Sequence, residues 1–308
     1  AFVGGIFQDS KTNMMSRGNT YTLVEADEFD RSFLHLSPTI ACITSMDIDH
    51  LDVYSDAASL QDAYGEFASQ VKGSLFVEKN IPLKGITYSV TEAADFYIDG
   101  IKPDASGSYF DLHTPDGVYR NQFFNQLGMH NLSNALVALA MASKAGLPVE
   151  DLAESLASFP GVKRRLQILI NEEDRVLIDD YAHHPTEIKA VYETLKLSFP
   201  ADEKCVVFQP HLFSRTQDFM TDFATVLSLF DRVLLLDIYP ARELRIEGVS
   251  SAVLREMISG PSVELITKKE LANRLSLVDE RIIVLLGAGD IGEEVEGIKH
   301  KLLFDEAL

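Results

Sequence analysis

Arg175-Val176-Leu177-Ile178-Asp179-Asp180-Tyr181-Ala182-His183-His184-Pro185-Thr186-Glu187 decides the fold of this 308-residue chain. Residues 175–178 are an apolar run of strand length, and Pro185 suits the first turn of a helix running to about Phe199. Between them a carboxylate, a phenol and two imidazoles crowd the carboxyl end of a strand, where an open α/β sheet holds its ligands. Asp180 is suited to accept hydrogen bonds from a ribose. Tyr181 and His183 are suited to orient a polar substrate beside a helix N-terminus, which favours anions. The competing reading is that Asp179 and Asp180 only cap the helix and that the histidines are solvated.

Outward from this stretch, apolar runs at 166–170, 205–208, 233–236, 263–266 and 282–286 alternate with helical patterns near Thr186, Thr216, Ser251, Lys269 and Ile291. That alternation predicts a doubly wound α/β domain with mostly parallel strands over 161–308. Residues 205–208 lead into Gln209-Pro210-His211-Leu212-Phe213-Ser214-Arg215, so His211 and Arg215 can bind a carboxylate at the same sheet edge as His183. A helix cap at Ser214 is the competing use. Gly287-Ala288-Gly289-Asp290-Ile291-Gly292 fits the dinucleotide fingerprint but follows the last strand. Too little chain remains for an acidic ribose partner ~20 residues on, which argues against a nicotinamide or flavin site and leaves a tight strand-to-helix turn.

In the first half, runs at 21–24 and 40–44 read as strands that empty into Glu25-Ala26-Asp27-Glu28 and Ser45-Met46-Asp47-Ile48-Asp49-His50. As parallel neighbours they would place both acidic loops on one edge, where carboxylates repel unless a cation offsets them. Glu25 and His50 are the candidate metal ligands, magnesium still holding waters being the expected ion; helix capping is the commoner role for any single Asp. A helix over 57–71 turns Leu60, Tyr64 and Phe67 to the core. Strands follow at 74–77, 86–88 and 96–98, then a hairpin of 108–112 and 118–123 across Thr114-Pro115-Asp116-Gly117. His130, Asn131 and Asn134 cluster at the start of an alanine-rich helix over 135–145; capping accounts for one asparagine, and nucleotide contact for the set. After a helix at 149–158, Pro160-Gly161 marks the domain boundary. Lys163-Arg164-Arg165 then offers either a solvated basic turn or a clamp for a polyphosphate.

The net charge of −20 argues against a broad nucleic-acid surface, and no apolar run reaches membrane-spanning length. Cys42 and Cys205, both in apolar runs, are expected as buried free thiols in a reducing, cytoplasmic setting. The chain opens without a basic leader or an initiating Met, which suggests a fragment rather than a secretory precursor.

Glu25-Ala26-Asp27-Glu28, Asp49-His50-Leu51-Asp52, His130-Asn131 with Asn134, Arg164-Arg165, Asp180-Tyr181-Ala182-His183-His184-Pro185 and Phe208-Gln209-Pro210-His211 together resemble the Mur ligase family, in order over nearly the whole chain. The resemblance implies a central P-loop-type ATP-binding domain over 1–160, truncated at its N-terminus, and a Rossmann-like C-terminal domain over 161–308 that brings in an amino acid. It implies ATP-dependent joining of L-alanine to UDP-N-acetylmuramate in peptidoglycan synthesis, through an acyl phosphate and with closure of one domain on the other. By motif position, Glu25 and His50 would bind Mg2+. His130, Asn131, Asn134, Arg164, Arg165 and Asp180 would contact ATP, and Tyr181, His183, His211 and Arg215 would surround the amino acid or acyl intermediate. The family's Gly-x-x-Gly-Lys-Thr loop and UDP-binding domain are missing, so this polypeptide alone is predicted to be inactive. No lysine lies between Tyr54 and Gln70, so the carbamoylated lysine of some relatives is not expected, and Leu212 stands where some have arginine. Alternatives are a recycling ligase that adds a tripeptide to the same sugar nucleotide and a non-catalytic nucleotide-binding module.

Overall fold

The computed structural model describes residues 1–8, 12–16, 18–46, 54 and 56–304. They fall into two compact units, Ala1–Pro160 and Gly161–Leu308.

The second unit is built on six strands: β7 (Gln167–Asn171), β8 (Val176–Asp180), β9 (Lys204–Phe208), β10 (Arg232–Leu235), β11 (Ser262–Leu265) and β12 (Ile282–Leu286), in the order β11-β10-β9-β12-β8-β7. Every pairing is parallel except β7 with β8. Helices α4 (Pro185–Ser198), α5 (Phe213–Asp218), α6 (Met220–Leu227), α7 (Ser251–Met257), α8 (Lys268–Leu275) and α9 (Val295–Phe304) connect and cover the strands. Strands β8, β9 and β12 are buried at every position. This is why 176–178, 205–208 and 282–286 read as apolar runs, and each such Val, Leu or Ile contributes about 1.5–3 kcal/mol on burial. The sheet register then sets the site: Leu286 pairs with both Asp180 and Phe208, so β8, β12 and β9 end abreast on one edge. Tyr181, Gly287 and Gln209 are the first residues beyond that edge.

In the first unit β1 (Ile40–Ile43), β2 (Ser74–Glu78), β3 (Ile86–Ser89) and β4 (Phe96–Asp104) are parallel, and β5 (Gly107–Thr114) and β6 (Gly117–Phe124) extend the sheet as the antiparallel hairpin read from Thr114 to Gly117. Helices α1 (Ala57–Gln70), α2 (Met129–Lys144) and α3 (Val149–Ala157) complete it, with Leu60 and Phe67 buried as their spacing required. Among the described residues no helix is long and apolar enough to cross a membrane. Cys42 and Cys205 are free thiols, Cys205 buried and Cys42 half-buried.

Three local readings need correction. Residues 21–24 are not a strand: Phe2 N donates to Leu23 O and Glu25 N to Phe2 O, one parallel bridge, and Tyr21, Leu23 and Val24 remain exposed. A β-rich run becomes a strand only where a neighbour supplies a ladder. The alanine-rich helix starts at Met129, not at Ala135, because Gly128 at φ 95° ends the preceding extended segment and Leu132 is already buried. Ser214 lies inside α5 rather than capping it, the cap position belonging to Leu212.

Candidate active site

The first turn of α4 is built from its own sequence. Pro185 takes the first helical position, and Glu187 accepts the backbone N–H groups of His183 and His184 at 2.8 and 3.0 Å. His184 caps the helix through Nδ1, which accepts from Thr186 N at 3.4 Å, and its ring meets Phe219. His184 is therefore part of the scaffold.

His183 faces the edge. Its Nδ1 lies 2.9 Å from Tyr181 O and 3.4 Å from Glu187 Oε2, two acceptors that place the proton on Nδ1 and leave Nε2 as the acceptor of a neutral ring. Burial pushes its pKa down, with Glu187 pulling the other way. The Tyr181 ring meets His183 edge-on at 5.3 Å, and His183 meets His211 at 6.0 Å. His211 is likewise pushed down by burial, then by the charge of Arg215 and by His183. The four residues proposed from sequence around a substrate thus meet on one edge, as two neutral imidazoles beside one guanidinium. Nδ1 of His211 and Nη1 of Arg215 are buried without a hydrogen-bond partner among the described residues. A buried guanidinium N–H in that state favours an anionic acceptor.

The nucleotide candidates divide. Asp180 is buried, and its oxygens accept Leu166 N and Ala182 N, each at 2.7 Å. Burial raises its pKa against those two bonds. Arg164 turns inward: it donates to Gly287 O and Gly289 O, lies 3.7 Å from Asp179 and stacks over Tyr181 at 4.9 Å. Arg165 stays exposed, 6.0 Å from the Tyr181 ring centroid. In the first unit His130 and Asn134 are exposed one turn apart on α2, whereas Asn131 donates to Leu127 O at 2.8 Å. Glu25 accepts Gly4 N at 2.5 Å and lines an open cleft with Asp27 and Glu28. His50 lies outside the described residues. Among those described, no group of three or more His, Cys, Asp or Glu converges as a metal cluster. Glu25 is a hard oxygen donor, and a magnesium ion that keeps its waters needs only one or two such ligands, so the residue fits the ion.

Sequence reading missed a second ring of residues. Gln209 donates to Asp290 Oδ1 at 2.7 Å and accepts from Ile291 N at 3.0 Å, and Lys268 pairs with Asp290, tying the Gly287 turn to the end of β9. Tyr239 stacks on His211, and Glu243 holds Ser214. No periodic pattern marks these positions.

Two family models match the chain: the Mur ligase middle domain over residues 7–142, and the Mur ligase glutamate ligase domain over 164–289. The UDP-N-acetylmuramate–L-alanine ligase of Christiangramia forsetii is 50% identical over 307 residues, 99% of this chain and 68% of that protein. The chain belongs to the Mur ligase family. The enzyme of the same description from Flavobacterium psychrophilum is also 50% identical, over 98% of this chain and 68% of its own length. Among solved structures, the UDP-N-acetylmuramate-alanine ligase of Thermotoga maritima superposes with a TM-score of 0.80 at 24% identity, over 96% of this chain and 67% of that one. The MurF ligase of the same organism, solved in complex with ADP, gives 0.68 at 16% identity over 92% and 67%. At those identities the two structures speak for the fold alone. As a Mur ligase the chain carries the middle and C-terminal domains of an ATP-dependent enzyme of peptidoglycan synthesis, with an α/β fold of two largely parallel sheets.

Proposed function

We propose that the chain carries the catalytic units of a ligase that adds L-alanine to UDP-N-acetylmuramate, and that the edge of the second unit receives the amino acid. The observation that supports this most is the convergence of Tyr181, His183 and His211 on Arg215, whose buried Nη1 has no protein partner among the described residues. Arg215 and His211 donate to the carboxylate of L-alanine, holding the small zwitterion by its charged end. His183 Nε2 accepts a proton from the ammonium, the Nδ1 proton being held by Tyr181 O. The freed amine then attacks the carbonyl carbon of the acyl phosphate, the C–O bond to phosphate breaks, and phosphate leaves with that electron pair and takes up the second proton shed by the new amide nitrogen.

Glu25 with His50 would hold Mg2+, which offsets charge on phosphoryl oxygens. His130, Asn134 and Arg165 are the nucleotide contacts that the exposed geometry favours, with Asp180 and Arg164 acting from behind as scaffold. The test is steady-state ligation by the full-length enzyme. Arg215→Ala is expected to raise KM for L-alanine at least about tenfold with KM for ATP unchanged. An unchanged KM for L-alanine would remove the assignment.

A further inference from the structure

The loop after β10 grips the segment that carries His211 and Arg215. Tyr239 N donates to Pro210 O at 2.8 Å and Leu212 N donates to Tyr239 O at 2.9 Å, a parallel bridge beyond the ends of β9 and β10. The Tyr239 ring stacks on His211, centroids 5.7 Å and planes 17° apart. Further along the loop, Glu243 Oε2 accepts Ser214 N at 3.0 Å and Oε1 accepts Ser214 Oγ at 2.5 Å. These bonds hold the Glu243 carboxyl below its ordinary range.

Ser214 precedes Arg215 in α5, a helix of six residues. So short a helix is not stable by itself, and its first N–H groups need outside acceptors. Its cap, Leu212, has φ 71°, a left-handed conformation unfavourable for a residue with a Cβ. Such a conformation persists only where the surroundings fix it. Here Tyr239 O takes the Leu212 N–H, and Leu212 O receives Thr216 N at 3.2 Å and Thr216 Oγ1 at 2.7 Å. Glu243 supplies the remaining anchor, on the residue next to the guanidinium.

We propose that Glu243 is a positioning residue for ligation: through Ser214 it fixes the first turn of α5 and so aims Arg215 at the carboxylate of the amino acid. This rests on Arg215 being that carboxylate's partner. The test measures KM for L-alanine and for ATP in the full-length ligase carrying Glu243→Ala, Glu243→Gln, Arg215→Ala and the double change Glu243→Ala/Arg215→Ala. Loss of a charged acceptor predicts that Glu243→Ala raises KM for L-alanine about tenfold, with KM for ATP within about twofold. Glu243→Gln, which keeps one acceptor, falls between. Because Glu243 acts through Arg215, Glu243→Ala adds nothing in the Arg215→Ala background. Full multiplication of the two effects overturns the proposal. An unchanged KM for L-alanine in Glu243→Ala, where Arg215→Ala raises it, overturns positioning while leaving the carboxylate assignment; no effect of Arg215→Ala overturns that assignment itself. If Glu243→Ala does not fold, Ser214→Ala removes only the hydroxyl contact and carries the test, with an expected rise of about threefold in the same KM and none as the overturning result.

Discussion

Replacing Asp180 separates a structural carboxylate from one that faces a nucleotide. Its two oxygens accept Leu166 N and Ala182 N at 2.7 Å inside a buried strand end. Hydrogen bonds to a charged acceptor contribute roughly 1.5–3 kcal/mol each, against which stands the burial that raises the carboxyl's pKa. The bond to Leu166 also holds a strained segment, since Arg164 and Leu166 have φ of 58° and 44°. Asp180→Ala leaves both N–H groups without an acceptor, so the net loss is expected to be about 3 kcal/mol. Asp180→Asn keeps one acceptor oxygen but turns an amide N–H₂ toward a donor, and about 2 kcal/mol is expected. For a unit of this size 1 kcal/mol moves the melting temperature by roughly 2–4 °C, so Asp180→Ala should lower the second unit's calorimetric transition by about 6–12 °C. Arg164 should lose its hold on the Gly287 turn at the same time. Calorimetry of the chain, read beside nucleotide affinity of the full-length enzyme, decides the matter. A variant that melts with the parent but binds ATP more than about tenfold more weakly would show that Asp180 addresses the nucleotide and that its role as scaffold is wrong.

Asp179 gives a pH dependence. Burial pushes its carboxyl from 3.8 up to about 6, Arg164 opposing and Asp180 adding to the push. A raised folded pKa means stabilisation that is complete below the unfolded value and lost as pH rises through 6. Asp179→Asn should therefore gain on the wild type by up to about 3 kcal/mol between pH 4 and pH 7, and a pH-independent difference in urea melts would refute this. Gly287→Ala meets a backbone: at φ +145° a Cβ would lie 2.7 Å from Gln209 O, so a loss of about 2–3 kcal/mol is expected by thermal melting, and a neutral result would mean the turn is free to shift. Glu25→Ala in the full-length enzyme should weaken ATP binding in calorimetry and make it insensitive to added magnesium; retained magnesium dependence would remove Glu25 from the ion's ligands.

The second unit was legible because its chemistry follows from register. Three runs buried on both faces must lie side by side, and once Leu286 pairs with Asp180 and Phe208, whatever polar residues follow those runs share one edge. The sequence alone therefore groups Tyr181, His183, His211 and Arg215. The direction each polar group takes at that edge was not legible. Asp180 and Arg164 carry the residue types of a nucleotide clamp, yet Asp180 is taken by two backbone amides and Arg164 by the Gly287 turn, beside left-handed backbone at Arg164 and Leu166. Non-glycine residues give no sequence signal of such a conformation. Tyr239 and Glu243 were missed for a related reason, since they lie in an irregular loop, where Tyr239 O accepts the N–H of another left-handed residue, Leu212. In the first unit, residues 21–24 have the composition of a strand but, among the described residues, only Phe2 to pair with. Composition locates the edge because burial is periodic. Availability to a ligand depends on which backbone amides are already satisfied, and at this edge a few left-handed residues decide that.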